Sequence, residues 1–123
     1  MDTQVARTLD LIDKFNQAFN RQDLEGVMAL MTEDCVFENT NPAPDGTRHA
    51  GQRAVRAAFA DFFGSSPNAE FTAEEVFATA DRCVVRWIYR WNANTDRQGH
   101  VRGVDVFHVR DGKVAEKLSY VKG

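Results

Sequence analysis

The chain changes its hydrophobic period once, near its midpoint, and that switch limits the architectures open to it. From Thr3 to Phe19 the apolar residues Val5, Leu9, Ile12, Phe15 and Phe19 recur every three or four positions, which draws one helical face. Asp23 reads as the N-cap of a second helix carrying Leu24, Val27, Met28 and Met31. Cys35 to Asn39 is short and extended, and the Pro- and Gly-containing stretch 41–46 is a loop. A third helix runs from about Gly51 to Phe63, with Val55, Phe59 and Phe62 on one side. Beyond Gly64 the pattern becomes that of strands, in four runs at 69–79, 82–92, 99–110 and 113–121. Asp111-Gly112 between the last two is the turn expected of a tight hairpin. Helices followed by a meander of strands predict an α+β fold, one curved antiparallel sheet covered by about three N-terminal helices.

With 123 residues this is expected to be a single domain, 1–123, large enough to bury a core. Nine Phe and two Trp supply material for an aromatic core or pocket. A net charge of −3 with mixed signs leaves no electrostatic footprint for nucleic acid or an acidic membrane. No apolar run is long enough to span a bilayer, and Met1-Asp2-Thr3-Gln4 lacks the basic start of a secretory leader, so a cytoplasmic protein is expected. Cys35 and Cys83 sit in apolar contexts and read as free buried thiols. No metal-ligand spacing, phosphate-binding loop, dinucleotide fingerprint or nucleophile elbow is present, so neither cofactor nor metal is implied.

One residue stands out chemically. Asp105 is a lone carboxylate in the apolar run Val104-Asp105-Val106-Phe107-His108-Val109. A buried carboxylate must find a partner, take up a proton, or face a cavity that uses it. Strand alternation groups Val85, Trp87, Tyr89 and Trp91 on one face, and Val101, Gly103, Asp105 and Phe107 on one face of the next strand.

Several strings resemble the nuclear transport factor 2-like superfamily, in its SnoaL-like, ketosteroid-isomerase-like branch. They are Asp23-Leu24-Glu25-Gly26-Val27, then Glu33-Asp34-Cys35-Val36-Phe37, and Gly51 at the start of the third helix. Most distinctive is Arg102-Gly103-Val104-Asp105-Val106-Phe107, continuing through Asp111-Gly112-Lys113 to Ser119-Tyr120. The resemblance covers nearly the whole chain. It implies a cone-shaped fold enclosing an apolar pocket, with the convex face of the sheet often forming a homodimer. It also puts the odd-numbered faces inside the cone. The pocket wall is then Trp87, Tyr89, Asp105 and Ser119, closed by Phe15, Phe19, Phe37 and Phe59. Such a wall suits a small hydrophobic or aromatic ligand. Lys117 falls in the inward register too, where a Schiff-base role is disfavoured; His100 and His108 face outward, as do Arg86, Arg90 and Arg102, with Glu116 available to pair across an interface.

Set against ketosteroid isomerases, Asp105 matches the aspartic acid of the oxyanion hole. Phe15 and Phe59 stand where that group has tyrosines, and Asn39 stands where it has the catalytic aspartate. Set against limonene-epoxide hydrolases, Asn39 matches a water-positioning asparagine, but Tyr89, Trp87 and Ser119 replace the Asp-Arg-Asp trio. Neither chemistry is therefore expected in its family form. Two readings stay open. One is a cofactor-independent isomerase, cyclase or dehydratase in which Asp105 is the acid/base or oxyanion donor and Asn39, Tyr89 and Ser119 orient a carbonyl compound. The other is a non-catalytic domain that binds a hydrophobic ligand or serves dimerisation.

Overall fold

A computed structural model describes residues 2–123. Helix α1 (Thr3–Asn20) starts at Asp2, whose carboxylate accepts from the Gln4 backbone N–H at 2.7 Å. It buries Leu11, Ile12, Phe15, Ala18 and Phe19 against the sheet. Asp23 caps α2 (Leu24–Ala29) as expected, accepting from the Gly26 N–H at 3.0 Å. Strand β1 (Met31–Glu38) follows directly, then a short β2 (Arg48–Ala50) and α3 (Gln52–Ser65). The remaining strands are β3 (Glu70–Ala78), β4 (Arg82–Trp91), β5 (Gly99–Arg110) and β6 (Lys113–Val121).

The six strands form one sheet in the order β2-β1-β6-β5-β4-β3. Three expectations need correction. Met31 belongs to β1, not to the second helix, and the strand begins four residues before Cys35. The Gln52 amide of α3 reaches the carbonyls of Met28, Met31 and Thr32 at 3.1–3.2 Å, a contact from a distant segment that meets backbone acceptors where α2 stops. Strand β2, three residues long, was not anticipated. Finally, β1 runs parallel to β6, so the sheet is mostly rather than wholly antiparallel.

The Asp-Gly turn is present, with both residues left-handed (φ 54° and 72°), the conformation that matches the twist of a tight hairpin. Arg110 faces Lys113 and Val109 faces Val114, but past Ala115 the pairing slips by one residue. From there His108 faces Glu116, and Asp105 faces Ser119. This bulge decides which β6 side chains point into the protein.

Helices α1 and α3 cover the concave face of the sheet. The core between them is a chain of rings: Phe15 against Phe107 (5.5 Å between centroids), Phe19 against Phe59 (5.3 Å), and Phe59 against Phe37 (4.8 Å). Asn20 extends the edge, donating to the Phe71 carbonyl at 2.8 Å and accepting its N–H at 3.1 Å. Cys35 and Cys83 are free and fully buried, and burial pushes the Cys83 thiol up to about 11. Among the described residues no helix is long and apolar enough to cross a membrane, and no group of His, Cys, Asp or Glu is arranged to hold a metal ion.

The convex face carries the outward residues in the expected alternation. Glu116, however, does not wait for a partner across an interface: within the chain it lies 3.6 Å from Arg82 and 3.4 Å from His108. Arg86 and Arg102 pair with Glu75 and Glu74 of β3, at 3.0 and 2.9 Å.

Candidate functional site

Asp105 is buried, 6 % exposed, and it is not alone. Because Ser119 sits directly opposite it across the β5–β6 ladder, the Ser119 hydroxyl donates to one carboxylate oxygen at 2.6 Å. Lys117 lies two residues before Ser119 on the same face of β6. Its ammonium is 3.2 Å from the other carboxylate oxygen and also donates to the Ser119 hydroxyl at 3.2 Å. Of the outcomes open to a buried carboxylate, Asp105 finds a partner: it is one half of a buried ion pair, and Lys117 is also only 6 % exposed. Both carboxylate oxygens accept, so the group is arranged as an acceptor and not as a neutral proton donor. The Lys117 ammonium stands 5.2 Å from the Phe19 ring centroid and 5.0 Å from that of Phe37, so aromatic faces supply the rest of its surroundings.

This pair forms the common wall of two cavities. The larger, about 490 Å³, opens between α3 and the end of β1 with its following loop. Phe19, Phe37, Phe59, Phe62, Phe71 and Trp87 give it an aromatic lining, and Asn39, Ser119, Asp105 and Lys117 give it polar points. The smaller, about 290 Å³, opens between α1 and the edge strand β3. Asp13, Asn16, Gln17 and Asn20 make its mouth polar, and it meets the first at Phe19, Phe71, Trp87, Asp105 and Lys117. A bulge in β3 between Ala73 and Glu75 breaks the ladder with β4 at this edge.

Of the nine residues expected at the site, Asp105, Asn39, Trp87, Ser119, Phe19, Phe37 and Phe59 line the larger cavity. Phe15 and Tyr89 do not. Phe15 is fully buried behind the cavity, packed on Phe107 and Phe59, since the inner stripe of α1 puts it deeper than Phe19. Tyr89 points inward but is held at the edge by Phe71 (4.7 Å) and Phe62 (6.1 Å). Asn39 serves the loop as well: its side-chain oxygen accepts from the backbone N–H of Thr47 at 2.7 Å and of Asn41 at 3.3 Å. The residue that was missed as a participant is Lys117. His49 also lines the larger cavity and stacks on Phe37 with 6.0 Å between centroids.

Trp87 is held by a glycine. It faces Gly103 across the β4–β5 ladder, and a Cβ on Gly103 would come within 2.5 Å of the indole and 2.3 Å of the Tyr120 carbonyl oxygen. The missing side chain makes room for the ring to lie on the strand. The indole N–H is buried and has no hydrogen-bond acceptor.

Comparison with known proteins places this architecture. Residues 12–117 match the SnoaL-like domain. No curated protein sequence matches the chain. Among solved structures, an NTF2-like protein of unknown function from Mesorhizobium loti is 38 % identical, with 100 % of this chain and 97 % of that one covered and a TM-score of 0.84. A putative polyketide cyclase from Xanthomonas campestris is 20 % identical over 98 % of this chain and 93 % of its own, with a TM-score of 0.77. TerC, co-crystallised with polyporic acid, is 17 % identical over 94 % and 92 %, with a TM-score of 0.79. At that identity the last two speak for the fold alone. With the domain match spanning most of its length and an NTF2-like relative aligned nearly end to end, the chain belongs to the SnoaL-like family within the NTF2-like superfamily.

Proposed function

We propose that the larger cavity takes a flat, apolar carbonyl compound and that Asp105 moves a proton on it without a cofactor, as an isomerase or cyclase would. The observation that carries this reading is the placement of a buried ion pair as the polar floor of an otherwise aromatic cavity. Ser119 and Lys117 occupy one acceptor position on each carboxylate oxygen and leave further lone pairs free. Asp105 then accepts a proton from the carbon next to the carbonyl. The C–H electron pair becomes the new C=C bond, and the carbonyl π pair moves to oxygen. Return of the proton to a different carbon completes an isomerisation, with Ser119 holding the carboxylate in place. Asn39, already anchored to its loop, is available to orient the ligand near the mouth.

The test is α-proton exchange of 2-tetralone in deuterium oxide, followed by NMR. The protein is expected to accelerate exchange, and Asp105→Asn to reduce the acceleration about 100-fold or more while retaining affinity. Binding without acceleration would sink the catalytic reading and favour a second one, a domain that only holds a hydrophobic ligand. That second reading draws support from the replacement of the ketosteroid isomerase and epoxide hydrolase side chains at Phe15, Phe59, Asn39, Tyr89 and Trp87. The small molecule in the TerC crystal is in keeping with either.

Pairing of two copies through the convex sheet belongs to the same proposal. Phe77, Val84, Val106 and Leu118 form an apolar row across four strands, and Phe77 and Tyr120 are more than half exposed. Sedimentation of the wild type as a monomer at micromolar concentration would rule this out.

A further inference from the structure

The ion pair marks how far a ligand reaches before it meets a wall. Resting on the cavity reading above, we infer that the Phe71 ring is the specificity-determining part of that wall. It limits the group on the far side of the reacting carbonyl. The ligand class is then a ketone with its bulk on one side of the carbonyl and a methyl-sized group on the other.

The starting point is what the two cavities share. Asp105 and Lys117 border both. A compound that enters the larger cavity and brings its carbonyl to the pair has the smaller cavity directly ahead, and anything attached beyond the carbonyl must go there. The rest of the common wall is three rings, Phe19, Phe71 and Trp87. Phe71 meets the other two edge-on, with centroids 5.8 Å from Phe19 and 5.2 Å from Trp87. Phe19 and Trp87 are buried, and the indole is seated on Gly103. Phe71 is only half-buried and belongs to β3, the edge strand, so it is the part of the wall that can be changed without touching the ion pair. Its main chain is fixed all the same: the Asn20 side chain donates to the Phe71 carbonyl and accepts its N–H, at 2.8 and 3.1 Å. The barrier is therefore the ring and not the strand, and the Asn20 clasp survives a change of side chain. Behind the ring lie about 290 Å³, room for a short alkyl chain once the way is open. Burying one methylene tightens binding about fourfold, whereas a chain forced against a packed ring loses affinity.

The experiment measures dissociation constants by calorimetric titration for 2-acetylnaphthalene and its propanoyl, butanoyl and pentanoyl homologues, which lengthen only the group beyond the carbonyl. The wild type is expected to bind the acetyl compound most tightly and to lose about tenfold or more by the pentanoyl one. Phe71→Ala is expected to reverse the trend, so that affinity rises along the series, and Phe71→Leu to fall between the two. Phe62 lines the larger cavity but not the smaller one, so Phe62→Ala should weaken the whole series alike and keep the wild-type trend. Near-ultraviolet circular dichroism verifies that each variant is folded. A wild-type affinity that holds level or rises with chain length overturns the inference, as does a fall that survives in Phe71→Ala or is equally relieved in Phe62→Ala. In each of these cases the cavity reading stands. The expected trend without any α-proton exchange would support the inference and sink catalysis alone. Failure of all four ketones to bind overturns the inference and the cavity reading together.

Discussion

The two faces of the sheet use ion pairs to different ends. On the convex face Arg102 pairs with Glu74 and Arg86 with Glu75, with side chains one-third to one-half exposed. On the concave face a single pair, Lys117–Asp105, sits with each side chain 8 % exposed. Water and salt screen the outer pairs, which hold the edge strand loosely and could be dispensed with. The inner pair has given up its hydration, and each partner depends on the other. Charge that is replaceable outside is therefore committed inside, and it is committed where the cavities meet.

Removing one inner partner should break this contrast most visibly. Lys117→Met leaves Asp105 buried without a counter-charge and is expected to lower unfolding free energy by about 3–5 kcal/mol in urea denaturation. Adding Asp105→Asn should restore most of that loss. A double variant no more stable than Lys117→Met would show that the lysine matters for packing and not for charge. Next in size is Gly103→Ala, whose new methyl meets the indole of Trp87 and the Tyr120 carbonyl. A cost of about 1–3 kcal/mol is expected, with altered tryptophan fluorescence. Unchanged fluorescence would mean that the indole does not depend on the glycine for its seat. The smallest effect belongs outside. Arg102 holds the Glu74 carboxyl below its ordinary value of 4.5 by a hydrogen bond and by its charge. Stability from that pair is therefore present above about pH 4.5 and lost as pH falls through the lowered folded-state value. Glu74→Gln should flatten this acid-side dependence slightly and leave the neutral-pH melt nearly unmoved; a large shift at pH 7 would contradict the contrast.

How much of this could be read in advance follows from which interactions are local. Helix α1, the Asp23 cap, the three long antiparallel strands β4–β6 and the hairpin turn all announce themselves within a few residues, through period, caps and turn chemistry. Strand β2 and the parallel pairing of β1 with β6 are contacts between distant segments, and neither leaves a local mark. The site divides in the same way. Asp105, Trp87 and Ser119 were legible as inward residues once alternation was combined with the family resemblance. Lys117 was read inward on the same alternation, but its pairing with Asp105 was not legible, because the facing of Lys117 and Ser119 alike depends on the slip at Ala115: continued in the register of the turn, the ladder would set Leu118 opposite Asp105. Phe15 was misplaced for a related reason, since periodicity finds the buried stripe of a helix but not its depth beneath the cavity.

The two openings onto the ion pair have a consequence for traffic. A ligand seated among the Phe side chains of the larger cavity closes one approach to Asp105 and Lys117, while the polar mouth between α1 and β3 remains. On the proposed reading, solvent on that side would exchange protons with the pair while the guest stays in place, so recharging the site and releasing its occupant would be separate events with separate doors.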